Sequence, residues 1–382
     1  MPTAMTSKQR TVAVLKGRAV DRMPVAALYD FLYHLDHFAE LTGRPQWQMH
    51  RWLHDDPEDH VATAGEILGK VPFDAYQPQY CPTRQVRENT EFFERNGRVF
   101  RRYGGQVQEV AAAAAGGHAT DYHANETQYV FDESDADERI VATPAERQIA
   151  AGLNDYLEAT VAALGGEQFI ISGGVVGTLY SCGQYVGQTN ALAMLIERPH
   201  LIDYVCKKIV EQNVETIRRL AAAGGDAIYI DDATATCDMI SVAHYERFSL
   251  PYMQQMVREI HCLGHQAILI YFGGVADRLE QIAAIGADAV SVETSMKGYV
   301  NDIGAIAETI GGRVSLFANI DPVGVLQDGS DEDLAAEIGR QVAAGRKARG
   351  FVISPASPIT PATPLARVQR FIELSRQLGQ TA

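Results

Sequence analysis

The chain has 382 residues and a formal net charge of −15 at neutral pH, from 33 Lys and Arg against 48 Asp and Glu. Hydrophobic residues make up 46% and charged residues 21%, enough for a large buried core. The acidity argues against nucleic acid or an anionic membrane as main partner, and no apolar run approaches the ~20 residues that cross a bilayer.

The five cysteines (Cys81, Cys182, Cys206, Cys237 and Cys262) are scattered, with no C-x-x-C pair. Without a secretory signal they suit free thiols, and a cytoplasmic location is expected. The length fits a single barrel domain over 1–382 that carries an insertion.

In chain order, residues 7–17 predict a short helix, and Pro24–Leu28 a first strand. Tyr29-Asp30-Phe31-Leu32-Tyr33-His34-Leu35-Asp36-His37-Phe38 opens a helix of unusual polar density. His34 and His37, three apart, share one helical face and are half of a conceivable metal site; two helix histidines beside Asp36 is the plainer reading. A helix over 57–70 leads to a second strand, Val71–Tyr76.

From about 78 to 140 the strand–helix rhythm stops. Gly97–Tyr103 and Gln106–Val110 flank Gly104-Gly105 and predict a β-hairpin. Ala111–Ala115 reads as a connector, and His118, Asp121, His123 and Glu126 as a solvated surface. An insertion here, between strands 2 and 3, would lie over a barrel mouth.

The rhythm then resumes with helix 145–164 and strand Gln168–Ser172, running into Gly173-Gly174-Val-Val-Gly177-Thr178. Helices 189–196 and 199–223 precede a fourth strand, Asp226–Ile230, which ends on Asp231-Asp232. Helix 244–263 leads to strand Gln266–Tyr271, followed by strands at Ala289–Val292, Val314–Phe317 and Gly350–Ser354 and a last helix, 364–378. Short apolar runs separated by helix-length sequence suit parallel strands covered on both faces, so a (β/α)₈ barrel is expected, with an open doubly wound sheet as the alternative, which lacks a dinucleotide-type first turn here.

In such a barrel the carboxyl ends of the strands carry the chemistry. That places Asp231, Asp232, Glu293 and Tyr271 as catalytic candidates, and Tyr29, Asp30, Ser172, Phe272, Asn319 and Ser357 as substrate-binding candidates. Converging carboxylates act as general acids and bases, or hold a cation. Side chains alternate along a strand, so only one of Asp231 and Asp232 is expected to face the mouth. Asp321, before Pro322, reads as a cap.

The ordered pieces Asp21-Arg22-Met23-Pro24, Gly173-Gly174-Val-Val-Gly177-Thr178, Asp231-Asp232, Gly264-His265-Gln266-Ala267, Asn319-Ile-Asp321-Pro322 and Ile359-Thr-Pro361-Ala-Thr-Pro364 resemble the uroporphyrinogen decarboxylase superfamily. The resemblance runs from about Arg10 to Leu374. It implies a (β/α)₈ barrel, commonly dimeric, with decarboxylase and corrinoid- or thiol-dependent methyltransferase branches. Two departures narrow it. The arginine-rich segment of true decarboxylases is Ala26–Tyr33 here, without arginine, and the family histidine after strand 8 falls on Ser357. The zinc-binding His-x-Cys and Cys of the thiol-activating branch fall on Ile270-Tyr271-Phe272 and on Ser357, so zinc is not expected there. The resemblance thus points to transfer or removal of a methyl group from a small donor, with a corrinoid on a partner protein as acceptor. A lyase acting on a small carboxylated substrate, or a non-catalytic binding subunit, are the alternatives.

Overall fold

The computed structural model describes residues 5–110, 127–296 and 298–381. Ala111–Ala115, His118, Asp121, His123 and Glu126 lie outside them. Among the described residues the strands are, in chain order, β1 (Ala75–Tyr76), β2 (Thr90–Arg95), β3 (Arg98–Tyr103), β4 (Gln106–Glu109), β5 (Phe169–Val176), β6 (Ala227–Asp232), β7 (Gln266–Tyr271), β8 (Ala289–Val292), β9 (Ser315–Phe317) and β10 (Phe351–Val352).

The apolar runs form one sheet in the order β1-β5-β6-β7-β8-β9-β10, with every neighbouring pair parallel. All residues of β7 and β8 are buried, as strands covered on both faces require. The extended segment at Pro24–Ala26 lies between the edge strands β1 and β10. Ile353 N–H donates to Pro24 O at 2.9 Å, Ala26 N–H to Ile353 O at 3.0 Å, and Asp74 N–H to Val25 O at 2.7 Å. This segment is the expected first strand, reduced to a single parallel bridge between Val25 and Ile353. Pro24 has no N–H, which shortens any ladder there.

Alternation then sorts the strand residues into two cores. Ala75, Phe169, Ile171, Ala227, Tyr229, Ile268, Ile270, Phe317 and Val352 pack together on the concave side of the sheet. Ile228, Ile230, Leu269, Tyr271, Val290 and Leu316 pack outward against the helices. The longest helix, Pro199–Ala222, turns Val205, Ile209, Ile217 and Leu220 inward and packs on β5 and on the helix Leu250–Cys262.

The closure is fastened by one buried carboxylate at the amino end of β1. Asp74 accepts hydrogen bonds from Arg10 Nη1 (2.9 Å), Arg22 Nη1 (2.6 Å) and Nη2 (2.8 Å), Ser7 Oγ (2.9 Å) and Val25 N–H (2.8 Å). Burial pushes its carboxyl up, but the Arg22 and Arg10 guanidinium groups outweigh that and hold it below its ordinary value. Arg22 of the Asp21-Arg22-Met23-Pro24 piece therefore ties the first strand to the second.

Three expectations need correction. The insertion holds the expected hairpin, as β3 and β4, but β2 joins it to make three antiparallel strands. The unread turn is Asn96-Gly97, both at positive φ (56° and 74°), the Asn-Gly signature of a tight hairpin. Helix 145–164 is two helices, Ala145–Ala150 and Asp155–Leu164, interrupted by Gly152 at φ 85°. Helix 244–263 breaks at Ser249, because Pro251 can occupy a first turn but not an interior.

Candidate active site

Strand alternation divides the predicted catalytic residues. Asp231 is two residues beyond Tyr229, on the concave side, whereas Asp232 continues the outward row of Ile228 and Ile230. Asp232 is fully buried, and its Oδ1 accepts the Thr234 and Ala235 N–H groups at 2.8 Å each, capping the turn after β6. Burial pushes its carboxyl up to about 6 against those two bonds. Tyr271 also faces the helices, with its hydroxyl 2.8 Å from that of Tyr245. Asp232 and Tyr271 are therefore structural neighbours of the helical layer, and of the pair Asp231-Asp232 only Asp231 is on the concave side.

Asp231 meets an aromatic enclosure. The Tyr29 hydroxyl donates a hydrogen bond to Asp231 Oδ2. Tyr29 contacts Phe31 (ring centroids 5.6 Å) and Tyr229 (5.4 Å), and Phe272 meets it edge-on at 5.6 Å and 68°. Phe31 contacts Tyr80 at 5.4 Å, and the Tyr80 and Tyr229 hydroxyls are 2.8 Å apart. Tyr29, Phe31, Tyr80 and Tyr229 thus close a circuit of four rings. Gln77 Nε2 also donates to the Tyr229 hydroxyl, at 3.4 Å.

Two backbone features make this possible. Tyr29 is at φ 61°, ψ 25°, a left-handed conformation disfavoured for a bulky side chain and found mostly at constrained functional positions. Gly174 is required: a Cβ there would lie 2.2 Å from the Tyr229 ring. Gly174→Ala is expected to displace Tyr229 and lower stability by about 1–3 kcal/mol. Urea unfolding together with near-ultraviolet circular dichroism would detect both effects, and an unchanged aromatic signal would refute them.

Burial pushes the Asp231 carboxyl up from 3.8 to about 7; the Tyr29 hydrogen bond lowers it and the Asp232 charge raises it further. A carboxyl held near neutrality beside aromatic rings suits proton transfer or the binding of a cation.

The remaining predicted residues are placed as follows. The Tyr299 hydroxyl donates to Glu293 Oε2 at 2.5 Å. Asn319 Nδ2 donates to the backbone oxygens of Glu293 (3.2 Å) and Asn301 (2.9 Å), so its amide fastens the loop after β8 instead of facing a substrate. The hydroxyls of Ser172 and Ser357 are buried without a protein partner. Asp321 caps as expected, accepting from Val323 and Gly324 N–H.

His34 and His37 are not brought together. His37 bonds Glu40 through Nδ1 (2.7 Å) and Pro361 O through Nε2 (3.0 Å), stacked on Tyr33. His34 is buried against Tyr76, with Nε2 3.8 Å from Asp30 Oδ2, too far for a hydrogen bond. Burial lowers His34 to about 3 and raises Asp30, so both are favoured neutral. Asp30 accordingly lies with His34 and Tyr76 rather than with Asp231. Among the described residues no group of three or more His, Cys, Asp and Glu side chains is arranged to hold a metal. The positions where the resemblance places zinc ligands do not fit that ion: Ile270 is in the concave core, Phe272 packs on Tyr29, and Ser357 offers only a hydroxyl.

Sequence reasoning missed Phe31, Tyr80, Tyr229 and Tyr299. Tyr229 was open to it, since alternation puts it on the face of Asp231. Tyr80 lies in an irregular loop that carries no periodic signal.

An acid flanked by aromatic rings at the carboxyl ends of parallel strands is a site typical of α/β enzymes. Residues 113–378 match the family described as uroporphyrinogen decarboxylase (URO-D), and the chain belongs to that family. It is 24% identical over 211 residues to the methylcobamide:CoM methyltransferase MtbA of Methanosarcina acetivorans, covering 55% of this chain and 59% of that protein. It is 30% identical over 183 residues to the uroporphyrinogen decarboxylase of Tolumonas auensis, covering 47% and 49%. The chain thus spans roughly half of the curated relatives it matches. A methyltransferase structure from Methanosarcina mazei shares the fold with a TM-score of 0.71 at 21% identity, covering 98% of this chain and 99% of that one. No helix among the described residues is long and apolar enough to cross a membrane.

Proposed function

We propose that the chain is a methyl-transferring enzyme that takes a methyl group from a small N-methylated cation, with a corrinoid on a separate protein as acceptor. The sheet closed by Pro24–Leu28 is then a (β/α)₈ barrel forming a single domain. The observation that carries this is the circuit of Tyr29, Phe31, Tyr80 and Tyr229 beside Asp231. Ring faces attract a methylated ammonium by about 0.5–2 kcal/mol each as water is excluded. The Asp231 carboxylate adds the counter-charge. The similarity to methyltransferases supports the reaction class.

In this scheme Asp231 and the rings orient the donor with one methyl group toward the open mouth. A reduced corrinoid presented there would supply the electron pair for the new bond to carbon. The electron pair of the breaking C–N bond stays on nitrogen, so a quaternary donor leaves as a neutral amine and needs no proton at that step. A tertiary amine or methyl ether needs one, and the protonated Asp231 carboxyl, hydrogen-bonded through Tyr29, is placed to give it. Phe272, Ser357 and Glu293 would complete the donor site. No step is routed through zinc, whose ligands are lacking.

The test mixes the purified protein with a reduced corrinoid carrier and a panel of quaternary, tertiary and O-methylated donors. A donor-dependent change in the corrinoid absorption spectrum, largest for quaternary donors, is expected. No change with any donor would overturn the proposal.

A further inference from the structure

Beside the aromatic circuit opens a cavity of opposite electrostatic character. It has a volume of about 230 Å³ and lies between the 77–81 loop, β5 and the helix Pro199–Ala222, with Gln77, Tyr80, Ser172 and Arg219 among its walls. Tyr80 and Gln77 belong to both spaces. The Tyr80 phenol, raised first by burial, also senses the negative charge of Asp231 and the positive charge of Arg219. The cavity thus adjoins the ring circuit at Tyr80 and Gln77, which line the one and bond the Tyr229 hydroxyl of the other.

Arg219 is the unusual member. Its Nε donates to Gln148 Oε1 (2.9 Å), and its Nη1 to Asn154 Oδ1 (2.9 Å) and Leu153 O (3.4 Å). All three acceptors are neutral. Arg10, Arg22, Arg87 and Arg278 each lie against an aspartate, whereas Arg219 has no carboxylate within ion-pair distance among the described residues. A partly buried cation without a counter-charge is costly unless a ligand supplies one.

Ser172 supports the same conclusion. It is only 5% exposed, the residue lines the cavity, and its hydroxyl is buried without a protein partner. A Cβ on Gly225 would lie 2.1 Å from that hydroxyl, so the glycine keeps its position open. A guanidinium and an unpaired hydroxyl in one pocket are donors for a carboxylate.

We infer that this cavity is an anion subsite for the far end of the same substrate, which makes the donor an N-methylated zwitterion. Its ammonium sits among the rings beside Asp231, and its carboxylate meets Arg219 and Ser172. The cationic half rests on the function proposed above; the anionic half stands on Arg219 and Ser172 alone. This also reconciles an acidic chain with an anionic group, since the attraction is confined to one pocket.

The test titrates the full chain calorimetrically with trimethylammonium carboxylates of increasing methylene length, each paired with the alcohol of equal length. At the best length the carboxylate is expected to bind at least about 10-fold tighter than its alcohol. That preference should fall to near unity in Arg219→Gln and shrink by about threefold in Ser172→Ala. Equal binding of both series by the wild type, or a preference that survives Arg219→Gln, would overturn the subsite. Should Arg219→Gln not fold, Ser172→Ala decides, with an unchanged preference counting against the inference. If no trimethylammonium compound binds, the aromatic-circuit proposal fails, and an acetate titration reads the subsite by itself. Saturable binding that Arg219→Gln or Ser172→Ala weakens would uphold it, and no binding would refute it.

Discussion

Asparagine in place of Asp231 is expected to weaken tetramethylammonium binding at least about 30-fold above pH 7, and to flatten its pH dependence. The wild-type carboxyl is pushed up to about 7, mainly by burial, so it is largely neutral at pH 5 and charged at pH 8. A cation prefers the charged form. Wild-type affinity should therefore rise from pH 5 to 8 with its midpoint near 7, and binding below the midpoint should release a proton. Calorimetry in two buffers of different ionisation enthalpy would measure both quantities. The sign for stability is opposite: a carboxyl whose folded pKa is raised from 3.8 to about 7 stabilises the unliganded fold most when protonated, and this is lost as pH rises through about 7. A wild-type affinity independent of pH would remove Asp231 from the role given to it.

Asp74→Ala is expected to destabilise the fold by about 3–5 kcal/mol, because it leaves Arg22 charged, largely buried and unpaired, and Arg10 with Asp21 as its one remaining carboxylate. Urea unfolding at neutral pH would read this directly, and a loss below about 1 kcal/mol would refute the clamp. The pH sense here is that of a depressed acid. The contribution of Asp74 is present above the ordinary carboxylate range and lost as pH falls through its lowered folded value. Asp21, held at about 2 chiefly by its hydrogen bond from Arg10, behaves likewise between 3.8 and about 2. Acid unfolding of the wild type should therefore be steeper than that of Asp74→Ala.

Much of the architecture was legible because the buried strands report their own environment. Gln266–Tyr271 and Ala289–Val292 read as apolar runs and fold as predicted. The ends of the sheet were harder: Pro24–Leu28 and Val71–Tyr76 read as full strands, yet they contribute one bridge and two residues. Their apolar character reflects burial, which does not require a ladder. At the site, alternation alone predicted that one aspartate of Asp231-Asp232 faces the mouth. The same rule applied to Tyr271 would have turned it toward the helices. What no local pattern could supply was the meeting of Tyr29, Tyr80 and Tyr229, which are brought together by chain segments up to 200 residues apart. Asn319 misled for the converse reason: a polar residue at a strand end serves equally well to fasten backbone.

The Asp74 clamp lies at the amino end of β1, whereas Asp231 and its rings follow the carboxyl ends of the strands. Fastening and the proposed chemistry thus occupy opposite poles of the molecule and share no side chain. Substitutions at the mouth leave the closure of the sheet intact. A lineage built this way can exchange a porphyrin-binding arginine cluster or a thiolate metal site for rings and a single carboxylate without having to find a new way to fold. The same separation makes the mouth a suitable place to engineer other donors, with Asp74, Arg10 and Arg22 left untouched.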